Sequence, residues 1–221
     1  MERTKIKAAI KKVTKLGSEL ADLDKELKDN EEVVLAAIEN HPPSFRYASD
    51  RLKDDAEFIR RAIEVSNGTV IGFASDKILN DRECARMAIE ASWTAYNYLG
   101  DSLKSDRELL QLALDNSDNI FSNDTPLQSC DNKFKSNRDI VNQAIDNWAY
   151  AIMYASDELK DDKELIKKAV TSIGGALEYA SDRLKDDKEI VLLAVKSNSD
   201  ALEFASANLK KDKEVLQAAE G

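Results

Sequence analysis

Turn formers are scarce in this chain: Gly occurs 7 times and Pro 3 times in 221 residues. A β-sandwich or barrel needs many tight turns, so that class is excluded. Long apolar runs are missing too. The aliphatic runs Val33–Ile38 and Ile190–Val195 fall far short of the about 20 residues that span a bilayer. They also fall short of the about 7–15 of a secretory hydrophobic core. Only one histidine is present, so any Ser-His-Asp or Cys-His site would have to use His41. His41 precedes Pro42-Pro43 in a turn, and no nucleophile motif lies near it. The pair Gly174-Gly175 is no phosphate-cradling loop. Two cysteines, Cys84 and Cys130, make no disulfide framework and read as reduced thiols. That points to a reducing compartment, the cytoplasm or a host cell into which a bacterium delivers the protein. His41, Cys84 and Cys130 are too scattered for a zinc site, so neither metal nor cofactor is expected. Finally, 32 Lys and Arg face 42 Asp and Glu, a net charge of −10. That opposes nucleic acid or an anionic membrane as the main partner.

What is there is a repeat. A Leu, Ile or Phe anchor, then Lys in all copies but one, then an Asp- or Asn-rich step and an acid, recurs eight times. Two of the copies read Leu52-Lys-Asp-Asp-Ala-Glu57 and Leu184-Lys-Asp-Asp-Lys-Glu189. The anchors are residues 27, 52, 78, 103, 134, 159, 184 and 209, with intervals of 25, 26, 25, 31, 25, 25 and 25. An Ala follows every anchor by ten residues: Ala37, Ala62, Ala88, Ala113, Ala144, Ala169, Ala194 and Ala219. Such self-similarity decides the fold class.

Each copy reads as two short helices. The second starts at a good N-cap: Asn30, Asp55, Asp81, Asp106, Asn137, Asp162, Asp187 or Asp212. A register one residue earlier, with Asp161 and Glu164 as a capping box, starts the helix at the same place. The buried face reads Val33, Val34, Ala37, Ile38 in one copy and Ile190, Val191, Ala194, Val195 in another. The first helix carries an aromatic five residues before the anchor: Tyr47, Phe73, Tyr98, Tyr154, Tyr179 and Phe204. Four of these open the phrase Tyr/Phe-Ala-Ser-Asp. This ladder is expected to pack as a seam between copies rather than to stack a ligand. Trp93 and Trp148 are expected to be buried at the turn into that helix. Helices this short cannot stand alone, so stability must come from stacking.

The expected fold is therefore an all-α solenoid of about eight helix-pair repeats of 25 residues with an N-terminal capping helix. The layout resembles solenoids such as the leucine-rich variant repeats. We read one stack over 1–221: a cap at 1–26, repeats at 27–114, an irregular insertion at 115–133 and repeats at 134–221. The phrases Asp187-Lys-Glu-Ile-Val-Leu-Leu-Ala-Val195 and Ala176-Leu-Glu-Tyr-Ala-Ser-Asp-Arg-Leu-Lys-Asp-Asp187 resemble tandem copies of domain of unknown function 4116. The resemblance covers residues 27–219, and the family's domain looks like two of these copies. No activity and no catalytic residue come with it.

Three places break the pattern. Ala9, Val13, Leu16, Leu20, Leu23 and Leu27 form a heptad-like stripe, expected as one long helix. Residues 1–16 carry +5 and the rest −15, so this helix reads as a cap with a solvated basic face or as a membrane-surface or coiled-coil segment. The insertion is rich in Asn, Asp and Ser; insertions on a solenoid often mark the binding face. Its Asp115, Asp118 and Asp124 lack EF-hand spacing. At the C-terminus no separate polar helix follows copy eight, which leaves a polar last helix, a longer protein or a homodimer through the ends as alternatives. Lys28, Lys53, Lys104, Lys135, Lys160, Lys185 and Lys210 form one basic row, and Arg82, Arg107, Arg138, Lys163, Lys188 and Lys213 a second. Interleaved acids favour inter-repeat ion pairs over a phosphate track.

The leading functional expectation is a non-catalytic protein-interaction scaffold whose partner is another protein. Ile120, Phe121, Asp124, Leu127, Trp93 and Trp148 are the candidate contacts. The alternatives are an enzyme or toxin with a carboxylate site at the insertion, and an anionic-ligand or nucleic-acid binder along the Lys rows.

Overall fold

A computed structural model describes residues 2–117 and 124–220. Among the described residues every regular element is helical. The chain falls into two compact units, Met1–Asn116 and Ser117–Gly221, divided inside the insertion. Within each unit the copies stack as an all-α solenoid, each long helix lying against the next, as Lys163–Ser172 does against Lys188–Ser197.

The repeat has three pieces rather than two. A long helix such as Lys163–Ser172 is followed by a six-residue 3-10 helix, Gly174–Tyr179, and then by a single α-turn, Asp182–Lys185. The expected first helix is therefore a 3-10 segment and one turn, hinged at an extended Ala such as Ala180. The 3-10 segment is closed by i→i+3 bonds, the Ala176 N–H to the Ile173 carbonyl at 2.9 Å and the Ala180 N–H to the Leu177 carbonyl at 3.1 Å.

All eight expected caps start the long helices. Asp162 Oδ1 accepts from the N–H groups of Glu164 and Leu165 at 3.0 and 3.1 Å, and Asp212 Oδ1 from Glu214 and Val215 at 3.0 and 3.2 Å. Asn30 and Asn137 each accept from the residue three on. The long helices bury the face read from the sequence: Val33, Val34, Ala37 and Ile38 are fully buried. Each buried Val or Ile of this face contributes about 1.5–3 kcal/mol. In three copies the 3-10 helix of the preceding copy closes on the backbone carbonyl of the repeat Ala. A Cβ on Gly17, Gly68 or Gly174 would collide with the carbonyl oxygen of Ala37, Ala88 or Ala194.

The N-terminal stripe is not one helix. Glu2–Lys15 ends at Leu16, which is extended and 56% exposed. A 3-10 helix Gly17–Asp22 and an α-turn Lys25–Lys28 follow. Gly17 breaks the α-helix and admits the close approach to Ala37. Residues 2–28 are thus one further copy, whose long helix packs on Glu31–Asn40. When its 3-10 helix is aligned with Gly174–Tyr179, Lys12 falls where other copies have the buried Ala. Its ammonium pairs with Glu19 at 2.8 Å, and Lys5 pairs with Asp24 at 2.8 Å. Part of the basic face therefore ties this helix to its own copy.

Candidate functional site

Most of the repeated polar residues serve the stack itself. In the Ala-Ser step the Ser backbone N–H donates to the carbonyl of the Lys after the preceding anchor. Ser49, Ser75, Ser156, Ser181 and Ser206 all do so, at 2.9–3.0 Å. The Ser hydroxyl donates to the first acid of the preceding copy: Ser49 to Asp29, Ser75 to Asp54 at 2.6 Å, Ser181 to Asp161 and Ser206 to Asp186. In four of these copies the same oxygen accepts the N–H of the anchor, as Ser181 does from Leu184 at 3.3 Å. One hydroxyl thus caps its own turn and latches to its neighbour. Ser156 is the exception: its hydroxyl has no partner, because the preceding copy carries Ser136 where the four latched serines meet Asp29, Asp54, Asp161 and Asp186.

The second basic row is largely consumed as well. Arg82, Arg138, Lys163 and Lys188 reach the cap Asp of the next copy, namely Asp106, Asp162, Asp187 and Asp212, at 2.7–3.0 Å. In the first row, Lys28 and Lys53 donate to the carbonyls of Ala21 and Arg46 at 2.7 Å, at the C-terminal ends of 3-10 helices.

The aromatic ladder is not a buried seam. Tyr47 is 40% exposed and Tyr98 53%, and Phe73, Tyr154, Tyr179 and Phe204 are half-buried. In six of the 3-10 segments the residue seven before the anchor is fully buried: Leu20, Phe45, Ile71, Tyr96, Ile152 and Leu177; its counterpart in the last, Leu202, is half-buried. The ladder residue, two further on, faces outward.

In the Ser117–Gly221 unit this outward row deepens into a cleft of about 310 Å³ lined by Trp148, Tyr150, Met153, Tyr154, Glu178 and Tyr179. Trp148 is half-buried rather than buried as expected, because it stands at the extended residue before the 3-10 helix Ala149–Tyr154. The Trp148 and Tyr150 ring centroids are 5.8 Å apart at 60°. Tyr150 meets Tyr179 of the next copy edge-on, at 6.1 Å and 86°. Tyr150 seats its hydroxyl against Gly175, where a Cβ would collide with it. Tyr154 donates to Gln128 Oε1 at 3.0 Å. Burial, and then the Glu178 carboxylate, push the Tyr179 hydroxyl above its ordinary range. Burial, and then the charge of Asp124, do the same to Tyr154. Glu178 is the one charged side chain among the residues lining the cleft.

Five segments of the chain, 6–53, 30–79, 55–100, 122–160 and 162–210, match the family described as Domain of unknown function (DUF4116). Together they cover most of the chain. The chain belongs to the DUF4116 family. The first three matches begin at residues 6, 30 and 55, so one DUF4116 domain spans two copies and slides along the chain by single copies. Neither a curated protein nor a solved structure matches the chain.

The candidate contacts separate cleanly in this DUF4116 array. Ile120 and Phe121 lie outside the described residues. Leu127 is a core residue, fully buried seven residues before its anchor, Phe134; it is the counterpart of Leu177 and is unavailable to a partner. Asp124 is half-buried, and its Oδ1 accepts from the Thr125 N–H at 2.9 Å. Its charge is felt by Tyr154, so this flank of the insertion adjoins the cleft. Trp93 is half-buried in the other unit, again not buried as expected. Of the other acids considered near the insertion, Asp115 accepts from Gln111 Nε2 at 2.8 Å and Asp131 caps the turn Asn132–Lys135. Asp118 lies outside the described residues. Among the described residues no three His, Cys, Asp or Glu side chains converge as a metal site would need. Sequence reading missed Tyr150 and Tyr179 as contacts. The available signal was the apolar residue seven before every anchor, which in all copies but the last fills the core and leaves the aromatics outside.

Proposed function

We propose that this DUF4116 protein is a non-catalytic scaffold that docks a partner polypeptide in the Trp148–Tyr150–Tyr179 cleft. The observation that carries the reading is the cleft itself, in which Tyr150 packs against both Trp148 and Tyr179 at the surface. Half-exposed Trp and Tyr in a concave site are the residues that anchor interfaces. The repeated Ser, Asp, Arg and Lys residues are engaged in caps, latches and ion pairs, which is why we assign the function to the cleft rather than to the repeat motif. Among the described residues no helix is long and apolar enough to cross a membrane. Two buried free thiols fit a reducing compartment, for which the cytoplasm is our proposal.

The test is cross-linking with mass spectrometry on the full chain, wild type against Trp148→Ala and Tyr150→Ala. Partners captured by the wild type should be lost from both variants while circular dichroism is unchanged. Partners retained by both variants, or no partner at all, would refute the reading.

A further inference from the structure

The two units solve the same aromatic position in different ways. In the first unit the fifth residue of the 3-10 helix Pro42–Tyr47 is Arg46. Its guanidinium sits 5.0 Å from the ring centroid of Phe73, the ladder aromatic of the next copy. In the second unit the fifth residue of Ala149–Tyr154 is Met153, and the ladder aromatic of the next copy is Tyr179. Both line the cleft. A site that the molecule fills with its own cation in one place is bordered by a neutral thioether in the other.

We propose that the cleft receives a lysine-type ammonium side chain from the partner polypeptide, held against the faces of Tyr150, Tyr179 and Trp148 and paired with Glu178. This rests on the docking reading above and gives it a chemistry. The ring geometry favours an ammonium over a flat guanidinium. Tyr150 stands at 86° to Tyr179 and at 60° to Trp148, so the three rings that line the cleft lie in different planes. A compact, rounded cation touches several such faces at once, whereas a planar one stacks on a single face. The charge agrees. Among the residues lining the cleft Glu178 supplies a carboxylate, and there is no Lys or Arg to compete. Residues 117–221 carry 14 Lys and Arg against 20 Asp and Glu, a net charge of −6 that draws a basic segment in. A volume of about 310 Å³ exceeds one ammonium head, which leaves room for the side-chain stem and its neighbours. Methylation of the ammonium spreads its charge and lowers its hydration, and so strengthens the contact.

The experiment uses the full chain with Trp93→Phe, which leaves Trp148 as the fluorescent reporter. Three short peptides differ only at the central residue: lysine, trimethyllysine, or a neutral tert-butyl isostere of the same shape. Trimethyllysine should quench or shift the Trp148 emission most tightly, lysine next, and the neutral isostere roughly tenfold or more weakly than trimethyllysine. Glu178→Gln should weaken the charged peptides and leave the neutral one unchanged. Met153→Arg, which copies the Arg46 arrangement, should abolish binding of all three without changing the thermal melt. Equal binding of the neutral isostere, no binding of any peptide, or unchanged binding by Met153→Arg would each overturn the proposal. The two readings fail differently. Partner cross-linking that survives Met153→Arg but is lost with Tyr150→Ala removes the cation and leaves the docking site. Cross-linking indifferent to both variants removes the docking site as well.

Discussion

Ser181 and Ser156 occupy the same phase of adjacent copies in one compact unit, yet the structure gives them different value. The Ser181 hydroxyl accepts from the Leu184 N–H at 3.3 Å and donates to the Asp161 carboxylate. The Ser156 hydroxyl does neither. Both backbone N–H groups make the same bond to the preceding copy, to Lys160 and Lys135 at 3.0 and 2.9 Å, and alanine would keep it. Ser181→Ala therefore removes a helix cap, which costs about 0.5–2 kcal/mol. Loss of the hydroxyl–carboxylate bond places it in the upper half of that range. Ser156→Ala removes an unsatisfied buried hydroxyl and should cost roughly nothing, or stabilise slightly. Ser136→Asp supplies the missing acceptor and should make Ser156 behave like Ser181, so that Ser156→Ala becomes costly only in that background. The assay is urea unfolding followed at the helix band, with the midpoint compared at constant slope. If Ser156→Ala costs as much as Ser181→Ala, the side-chain latch contributes nothing and the backbone bond alone joins the copies.

Gly174→Ala should destabilise by about 1–3 kcal/mol, because its Cβ meets the rigid Ala194 carbonyl, whereas Gly175→Ala meets only the end of the Tyr150 side chain. Thermal melts should therefore separate the two variants, and Gly175→Ala should instead alter Trp148 fluorescence by displacing Tyr150. Leu127→Ala should cost about 2–5 kcal/mol as a core truncation; a change within 0.5 kcal/mol in urea unfolding would return Leu127 to the surface. Acid should unfold the stack below about pH 4. Arg138 holds Asp162, Lys188 holds Asp212, and Ser181 with Arg183 holds Asp161 below the usual carboxylate range. Lys167 and Lys163 bring Glu189 down to about 2. Groups depressed in the folded state stabilise it above their unfolded pKa, and that stability is lost as pH falls through the folded values, so helix signal followed from pH 5 to 2 should fall in that window. Burial pushes Cys84 and Cys130 each up to about 11, so neither should react with a disulfide reagent at pH 8 until denaturant is added.

The N-caps, the buried faces of the long helices and the all-α repeat were legible because each rests on local chemistry. A cap needs only an Asp or Asn and the next three residues, and the face Ile190, Val191, Ala194, Val195 needs only the α-helical period. Even the N-terminal copy left a mark, in Leu20 and Leu27 seven residues apart, although Lys12 in place of the repeat Ala hid it. The candidate site was legible only in part: Trp148 was singled out, Tyr179 was assigned to a buried seam, and Tyr150 was not singled out at all.

The tertiary structure decided the rest. A 3-10 helix turns about 120° per residue against about 100° for an α-helix, so over five residues the facing drifts by about 100°. That drift carries Tyr154 and Tyr179 outward and leaves Ile152 and Leu177 in the core. The Ser–Asp latches join residues 20 or 21 apart and the Arg/Lys–Asp bonds residues 24 apart. Spacing in the sequence repeats these residues without saying which of them meet. Only the stacking of one copy on the next brings Ser181 to Asp161, leaves Ser156 without an acceptor, and sets Tyr150 over Gly175 to open the cleft.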